Sequence, residues 1–123
     1  MSNKNKKVIT GLHILGQIQT GSLIKAGSKK AFKLFLSSLI KKHKLRELGS
    51  YYHKFGKTEG FTGVVCLMES HISVHTWPEL QYITLDVFLC NYSQNNEETC
   101  RKLFSEICEY FIPLSVDKKE IFR

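Results

Sequence analysis

The sequence of 123 residues contains little proline and no long hydrophobic run. Its longest uninterrupted apolar segment is Val64–Met68, whereas a transmembrane helix needs about 20 apolar residues. With 2 Pro, 8 Gly and 42% hydrophobic residues, the composition excludes a collagen-like or intrinsically disordered chain. These features predict a single folded domain over residues 1–123, with residues 1–6 disordered and no membrane partner.

A secretory signal is also lacking, because the polar and charged residues 1–7 are not followed by an apolar segment. We therefore expect a cytoplasmic protein whose cysteines remain thiols. The 4 cysteines (Cys66, Cys90, Cys100 and Cys108) form no CxxC pair and no compact cluster with histidine. This spacing argues against a disulfide framework and against a structural zinc site, so no metal is expected.

Acidic residues are scarce: 11 Asp and Glu stand against 18 Lys and Arg, for a formal net charge of +7. A basic chain can indicate nucleic-acid binding. Here the lysines concentrate at the termini and in the first predicted helix, largely off its apolar stripe and without interleaved aromatic residues. A solvated helix face explains this pattern better than a base-reading surface, so no nucleic-acid partner is expected.

Hydrophobic periodicity predicts the element order β-α-β-β-β-β-α-β. The predicted elements are a strand at Val8–Gln19, a helix from Ser28 to Leu45, strands at Leu48–Phe55, Thr62–Met68, His71–Trp77 and Gln81–Cys90, a helix capped by Asn96, and a last strand at Ile112–Val116 before a charged tail. Two amphipathic helices and a mostly antiparallel sheet predict an α+β fold, a two-layer sandwich with both helices on one face.

Residue parity assigns the two faces of the sheet. In the predicted strand Gln81–Cys90, every second residue is apolar, and this row should contact the helices. The row consists of Ile83, Leu85, Val87 and Leu89. Ile72 and Val74 of the preceding strand should contact the helices in the same way. The opposite face then carries Ser73, His75, Tyr82, Thr84, Asp86, Phe88 and Cys90. Since no helix is left to cover this mixed face, a second copy of the sheet is the simplest cover, and we expect a homodimer.

Chemistry-bearing residues concentrate between Glu69 and Glu79. His71 and His75 share a strand face but lie about 13 Å apart, too far to hold one metal ion. A turn centred on Pro78-Glu79 would place His75 opposite Tyr82–Ile83, and Cys90 opposite Leu67–Met68, with a register slip of one or two residues allowed. An imidazole, a thiol and the Ser70 peptide are therefore expected to converge at one end of the sheet. Taken singly, each residue also fits an ordinary role: a buried Cys, a hydrogen-bonded His, a turn Ser.

The segment Glu69-Ser70-His71-Ile72-Ser73-Val74-His75-Thr76-Trp77-Pro78-Glu79 closely resembles the processing site of prokaryotic S-adenosylmethionine decarboxylase proenzymes. The resemblance continues through Thr62-Gly63-Val64-Val65 before it and Asp86-Val87-Phe88-Leu89-Cys90 after it. His53-Lys54-Phe55 and Gly11-Leu12-His13 match more weakly. The strong match is one contiguous segment, and the rest of the chain agrees in element order.

This resemblance implies a self-cleaving zymogen that makes its own cofactor, a pyruvoyl group, from Ser70. Ser70 would attack the Glu69 carbonyl to form an ester, and His75 would then help to remove the α-proton of residue 70, with Thr62 assisting the processing. The products would be a β chain (residues 1–69) and an α chain (residues 70–123). The pyruvoyl group forms a Schiff base with the substrate and serves as an electron sink. The resemblance makes Cys90 the acid that protonates the substrate carbon.

The same resemblance implies two substrate contacts and a place in metabolism. Glu79 would bind the ribose hydroxyls, and Phe55 would lie near the adenine. The implied reaction is the lyase step that supplies the aminopropyl donor for spermidine biosynthesis.

Two departures from the family pattern bear on the substrate. Gln17 stands where an acidic residue is usual, and the loop Gly56-Lys57-Thr58-Glu59-Gly60-Phe61 lacks the usual proline. An alternative is therefore a pyruvoyl-dependent decarboxylase of another amino acid, such as ornithine or arginine. A third alternative is a non-catalytic basic binding or regulatory homologue, against which the joint presence of Ser70, His75 and Cys90 argues.

Overall fold

The structure, a computed structural model, describes residues 10–21, 28–57 and 59–123. The predicted start of the first strand at Val8 and the predicted disorder of residues 1–6 lie outside these ranges. The elements are β1 (Gly11–Thr20), α1 (Lys29–Lys42), β2 (Glu47–Lys54), β3 (Phe61–Leu67), β4 (Ser70–Trp77), a 3₁₀ turn (Pro78–Leu80), β5 (Tyr82–Cys90), α2 (Glu97–Tyr110) and β6 (Pro113–Phe122). The predicted element order is confirmed.

The six strands form one antiparallel sheet in the order β2-β3-β4-β5-β1-β6. Helix α1 contacts β2, and α2 contacts β1, β5 and β6. This arrangement confirms the predicted α+β sandwich with two helices and one sheet. No helix in the described ranges has the length and apolar character to span a membrane.

The core lies between the sheet and the helices, as the residue parity predicted. Ile72, Ile83, Leu85 and Val87 are 0% exposed. They pack with the buried stripes of the two helices, which are Phe32, Leu36, Leu39 and Ile40 on α1 and Cys100, Leu103, Phe104, Ile107 and Cys108 on α2.

The opposite side of the sheet, called the open face below, carries no helix in the described part of the chain. On β4 and β5 it presents half-exposed side chains: His71, Ser73, His75, Tyr82, Thr84, Asp86, Phe88 and Cys90. These include the residues that the sequence assigned to this face.

The last strand is longer than predicted, so the interpretation of its second half as a charged tail was wrong. Strand β6 pairs with β1 along its length, from Pro113 opposite Thr20 to Phe122 opposite Leu12. Its charged residues are accommodated because an edge strand is partly solvated. Glu120 also accepts two hydrogen bonds from the Arg101 guanidinium on α2, at 2.9 and 3.0 Å.

The register of the β4–β5 hairpin lies one residue beyond the predicted pairing, within the slip of one or two residues that the prediction allowed. His75 lies opposite Thr84, not Tyr82 or Ile83. The predicted two-residue turn was wrong because the 3₁₀ turn and Gln81, at a left-handed φ of 53°, lengthen the connection between Trp77 and Tyr82. When this register is extended to the ends of the two strands, Cys90 lies opposite Glu69. The prediction had placed Cys90 opposite Leu67–Met68.

Candidate active site

Ser70 and Cys90 meet at one end of the sheet. Ser70 is the first residue of β4, directly after the tight turn that follows β3, and Cys90 is the last residue of β5. The backbone N–H of Cys90 donates a hydrogen bond to Ser70 Oγ at 3.0 Å. The structure therefore brings these two predicted site residues into direct contact.

Glu69, which precedes Ser70, has a left-handed backbone with φ of 63°. An L-residue with a side chain pays roughly 1–2 kcal/mol for this conformation. The reason is local: a tight turn must reverse the chain between Leu67 and Ser70, which are paired residues of the two strands. Backbone strain thus lies immediately before the candidate scissile peptide.

Thr62 and His75 form a second pair. They are direct partners on β3 and β4, and Thr62 Oγ1 lies 3.1 Å from His75 Nδ1, within hydrogen-bonding distance. His75 is five positions from Ser70 along an extended strand, which corresponds to about 16 Å. The expected convergence of His75 with Ser70 and Cys90 within one chain was therefore wrong, because all three were placed at the same strand end.

A cleft of about 200 Å³ lies at the His75 end of β4 and is lined by Phe55, Gly60, Thr76, Trp77 and Glu79. It brings together Phe55 and Glu79, the two predicted substrate contacts. Aromatic rings continue from the cleft along the open face: the Trp77 ring centroid lies 6.1 Å from that of His75 and 5.6 Å from that of Tyr82. A planar, partly apolar ligand with hydroxyl groups suits such a lining.

A cluster around His13 was largely missed by the sequence reasoning, which noted only a weak motif there. His13 is 8% exposed and lies on β1 opposite Phe88. Its Nδ1 lies 3.3 Å from the Arg123 guanidinium. Its Nε2 lies 3.8 Å from Asp86 Oδ2 and has no hydrogen-bond partner among the described residues. The available signal was a histidine within an apolar strand, on the parity of the open face.

Burial lowers the pKa of His13, and its Coulombic interactions with His71 and Arg123 act in the same direction, whereas Asp86 opposes them. Since the Arg123 guanidinium can only donate, His13 Nδ1 accepts and the neutral ring carries its proton on Nε2, toward Asp86. A neutral imidazole whose Nε2–H points toward Asp86 therefore lies near the Ser70 end of the open face.

The two cysteines of α2 are less suited to proton transfer next to Ser70. Burial raises the pKa of Cys100 to about 12 and that of Cys108 to about 11, and both thiols lie in the core. Cys66 is exposed, and all four cysteines are free thiols. No group of three potential metal ligands occurs among the residues that the structure describes.

Comparison with known proteins agrees with this arrangement. Residues 13–123 match the family S-adenosylmethionine decarboxylase. This chain belongs to that family. The S-adenosylmethionine decarboxylase proenzyme of Sulfurihydrogenibium sp. is 36% identical over 109 residues, covering 89% of this chain and 78% of the relative. The proenzyme of the same name from Picrophilus torridus is 31% identical, covering 95% of this chain and 86% of the relative.

The fold agrees with a solved structure of the same family. The crystal structure of the adenosylmethionine decarboxylase from Aquifex aeolicus superposes with a TM-score of 0.79 at 30% sequence identity, covering 94% of this chain and 91% of that chain. The resemblance stated from the sequence motif is confirmed at the level of the S-adenosylmethionine decarboxylase family.

Proposed function

We propose that this chain is a self-processing, pyruvoyl-dependent decarboxylase of S-adenosylmethionine that supplies the aminopropyl donor for spermidine biosynthesis. The observation that carries the proposal is the hydrogen bond from the Cys90 amide to Ser70 Oγ. It holds the nucleophilic oxygen directly after the left-handed residue Glu69 and fixes the backbone of the thiol-bearing residue against that oxygen. Processing divides the chain into a β chain of residues 1–69 and an α chain of residues 70–123.

The residues around Ser70 fit the formation of a pyruvoyl group. Ser70 Oγ attacks the Glu69 carbonyl carbon, and the peptide C–N bond breaks as the ester C–O bond forms. Removal of the α-proton of residue 70 then expels the Glu69 carboxylate, which keeps the former Ser70 Oγ. Hydrolysis of the remaining enamine releases ammonia and leaves the pyruvoyl group at the α-chain terminus. The left-handed φ of Glu69 places backbone strain in the residue whose carbonyl is attacked, next to the bond that breaks.

The proton acceptor for that elimination is His75 of a second copy. His75 cannot reach Ser70 of its own chain, because about 16 Å of extended strand separates them. A two-fold dimer through the open face would run β4 of one protomer against the partner, so that the Ser70 end of one meets the His75 end of the other. Thr62 orients the His75 ring through the contact of 3.1 Å at Nδ1.

The two strand ends supply complementary parts of the decarboxylation site. When present, the pyruvoyl group supplies an electron sink for loss of the carboxylate. Cys90 Sγ donates a proton to the substrate carbon that has lost carbon dioxide. In the partner's cleft, the Glu79 carboxylate accepts hydrogen bonds from the ribose hydroxyls, and the Phe55 ring lies against the adenine.

Denaturing mass spectrometry tests processing directly. The purified protein should contain two chains that divide between residues 69 and 70, the carboxyl-terminal one without a free amine. Ser70→Ala should remain a single chain, whereas the matched control Ser73→Ala, on the same strand, should cleave. A single intact unsubstituted chain after prolonged incubation would refute self-processing.

Substrate choice is tested by release of carbon dioxide from carboxyl-labelled S-adenosylmethionine, ornithine and arginine. We expect release from S-adenosylmethionine, with loss on Glu79→Gln through a raised KM. Gln17 is relevant here because it lies on β1 opposite Thr84 and lines a cavity of about 440 Å³ on the sheet. Reaction of ornithine or arginine alone would show that the chain belongs to a branch with a changed substrate.

A further inference from the structure

Asn96 occupies the N-cap position immediately before α2, but its side chain does not cap the helix. Its side chain makes no capping hydrogen bond to the helix; instead, its Nδ2 donates to the backbone carbonyl of Cys90 at 2.8 Å. Because a carbonyl oxygen can only accept, the group facing Cys90 must be the amide NH₂. Asn96 is 9% exposed, so water competes little for this bond. The predicted position of the cap residue was right, but its side chain serves another residue.

Hydrogen bonds therefore hold the backbone of Cys90 at its N–H and at its carbonyl. In the uncleaved chain its N–H donates to Ser70 Oγ at 3.0 Å, and its carbonyl accepts from Asn96. Processing removes Ser70 Oγ, so the bond from Asn96 is the one of the two that remains when Cys90 acts as the acid. The following turn is fixed as well, since Asn91 Oδ1 accepts from the Asn96 N–H at 2.7 Å and the Asn91 N–H donates to the Thr10 carbonyl at 2.9 Å. Cys90 is the last residue of β5, where a strand end would otherwise fray.

We propose that Asn96 is a positioning residue that fixes the direction in which the Cys90 thiol delivers its proton. This inference rests on the proposed function, in which Cys90 is the acid. Proton transfer requires the donor within hydrogen-bond reach of the correct carbon, and a displacement of about 1 Å can cost up to 100-fold in rate. Asn96 acts through the Cys90 backbone, not on the substrate.

Misplacement of the thiol has a specific chemical signature. A proton delivered to the α-carbon of residue 70, instead of the substrate carbon, moves the substrate amine onto the α chain. Hydrolysis with one water then releases the substrate remainder as an aldehyde and leaves alanine at the α-chain terminus. Each such event inactivates one site and exposes a free amine that the pyruvoyl-terminated chain lacks.

Asn96→Asp is the diagnostic change because it replaces the donating NH₂ with an acceptor oxygen of the same size. Asn95→Asp is the matched control: Asn95 Oδ1 accepts from the Glu97 N–H at 2.9 Å, and a carboxylate keeps that role. Asn96→Ser is a second variant that removes the amide but retains a favourable residue for the start of a helix, in case the carboxylate prevents folding.

The measurements are kcat and the fraction of α chains with amino-terminal alanine after a fixed number of turnovers, by sequential degradation of free amino termini. We expect Asn96→Asp and Asn96→Ser to lower kcat roughly tenfold and to raise the alanine fraction per turnover severalfold, with Asn95→Asp unchanged. An alanine fraction equal to that of the unsubstituted enzyme in both Asn96 variants would overturn the proposal.

Amide hydrogen exchange over residues 89–91 provides a readout that does not depend on turnover. Exchange should accelerate in the Asn96 variants and not in Asn95→Asp. If the unsubstituted chain neither cleaves nor decarboxylates, the proposed function fails. Unchanged amide exchange in the Asn96 variants would separately refute the positioning role of Asn96. Normal processing and turnover in the unsubstituted chain with no effect of Asn96 would refute the further inference alone.

Discussion

The backbone amide of Cys90 donates a hydrogen bond to Ser70 Oγ at 3.0 Å, across the ends of two neighbouring strands. One contact therefore links the residue that would be converted into the cofactor to the residue that would act as the acid. The strained turn residue Glu69 lies directly before this contact. The three features together make the end of β4 the chemically distinctive part of the sheet.

The left-handed backbone of Glu69 makes a prediction about stability. In the Ser70→Ala chain, where cleavage cannot interfere, Glu69→Asn should be tolerated because asparagine adopts this conformation readily. Glu69→Val should lower the free energy of unfolding by about 1–2 kcal/mol relative to Asn, since a branched Cβ clashes there. Urea unfolding midpoints measure the difference. Equal midpoints would show that residue 69 is not left-handed in solution.

The contact between Thr62 and His75 predicts a graded effect on self-cleavage. Thr62→Val keeps the shape of the side chain but removes the hydroxyl 3.1 Å from His75 Nδ1, and the loss of about 1 kcal/mol should slow cleavage severalfold. Thr62→Ser keeps the hydroxyl and should cleave at nearly the original rate. The half-time of chain cleavage on a denaturing gel is the measurement. A Val variant as fast as the Ser variant would contradict an orienting role for Thr62.

The sequence predicted the fold well where hydrophobic burial dominates. The buried rows of β4 and β5 and the apolar stripe of α2 follow the strict periods of strand and helix, so their faces were assigned correctly. The second half of β6 was missed because its residues are mostly charged and exposed. Its strand conformation comes from pairing with β1, a long-range contact without a local sequence signal.

The motif predicted which residues belong to the candidate site. It could not predict how those residues are placed relative to one another, because that placement depends on the pairing of β4 with β5. The motif predicted roles for Ser70, Cys90 and Glu79, which stay predictions, but periodicity could not show the extra residues in the connection after Trp77. Strand rise alone could have shown that His75 is too far from Ser70 in the same chain. The His13 cluster depends on the last residue, Arg123, reaching back to β1, which no local pattern indicates.

Buried His13 predicts a pH dependence of stability. Its pKa is lowered from the ordinary value of 6.5, chiefly by burial, so the unfolded chain binds a proton that the folded chain resists. Stability from this residue is therefore complete above about pH 6.5 and decreases as the pH falls through 6.5 toward the folded-state pKa. His13→Gln in the Ser70→Ala chain should lose less stability between about pH 7.5 and pH 5.5.

The matched control for that experiment is His53→Gln, a histidine on the exposed strand β2. Urea unfolding at the two pH values measures the difference for each variant. The His53 variant should retain the pH dependence of the parent chain. An identical pH dependence in the His13 variant would mean that His13 is protonated equally in the folded and unfolded chains.

The distance between Ser70 and His75 predicts complementation between two inactive chains. Alone, neither Ser70→Ala nor His75→Ala should cleave. In a mixed dimer, the His75→Ala chain contributes an intact Ser70 and the Ser70→Ala chain an intact His75, so one complete site results. Co-expressed chains with different affinity tags, purified over both tags, should therefore contain a cleaved His75→Ala chain.

Pairing His75→Ala with a Ser70→Ala, His75→Ala double variant is the control and should give no cleavage. Mixed dimers with an intact His75→Ala chain would show that His75 does not act across an interface between copies.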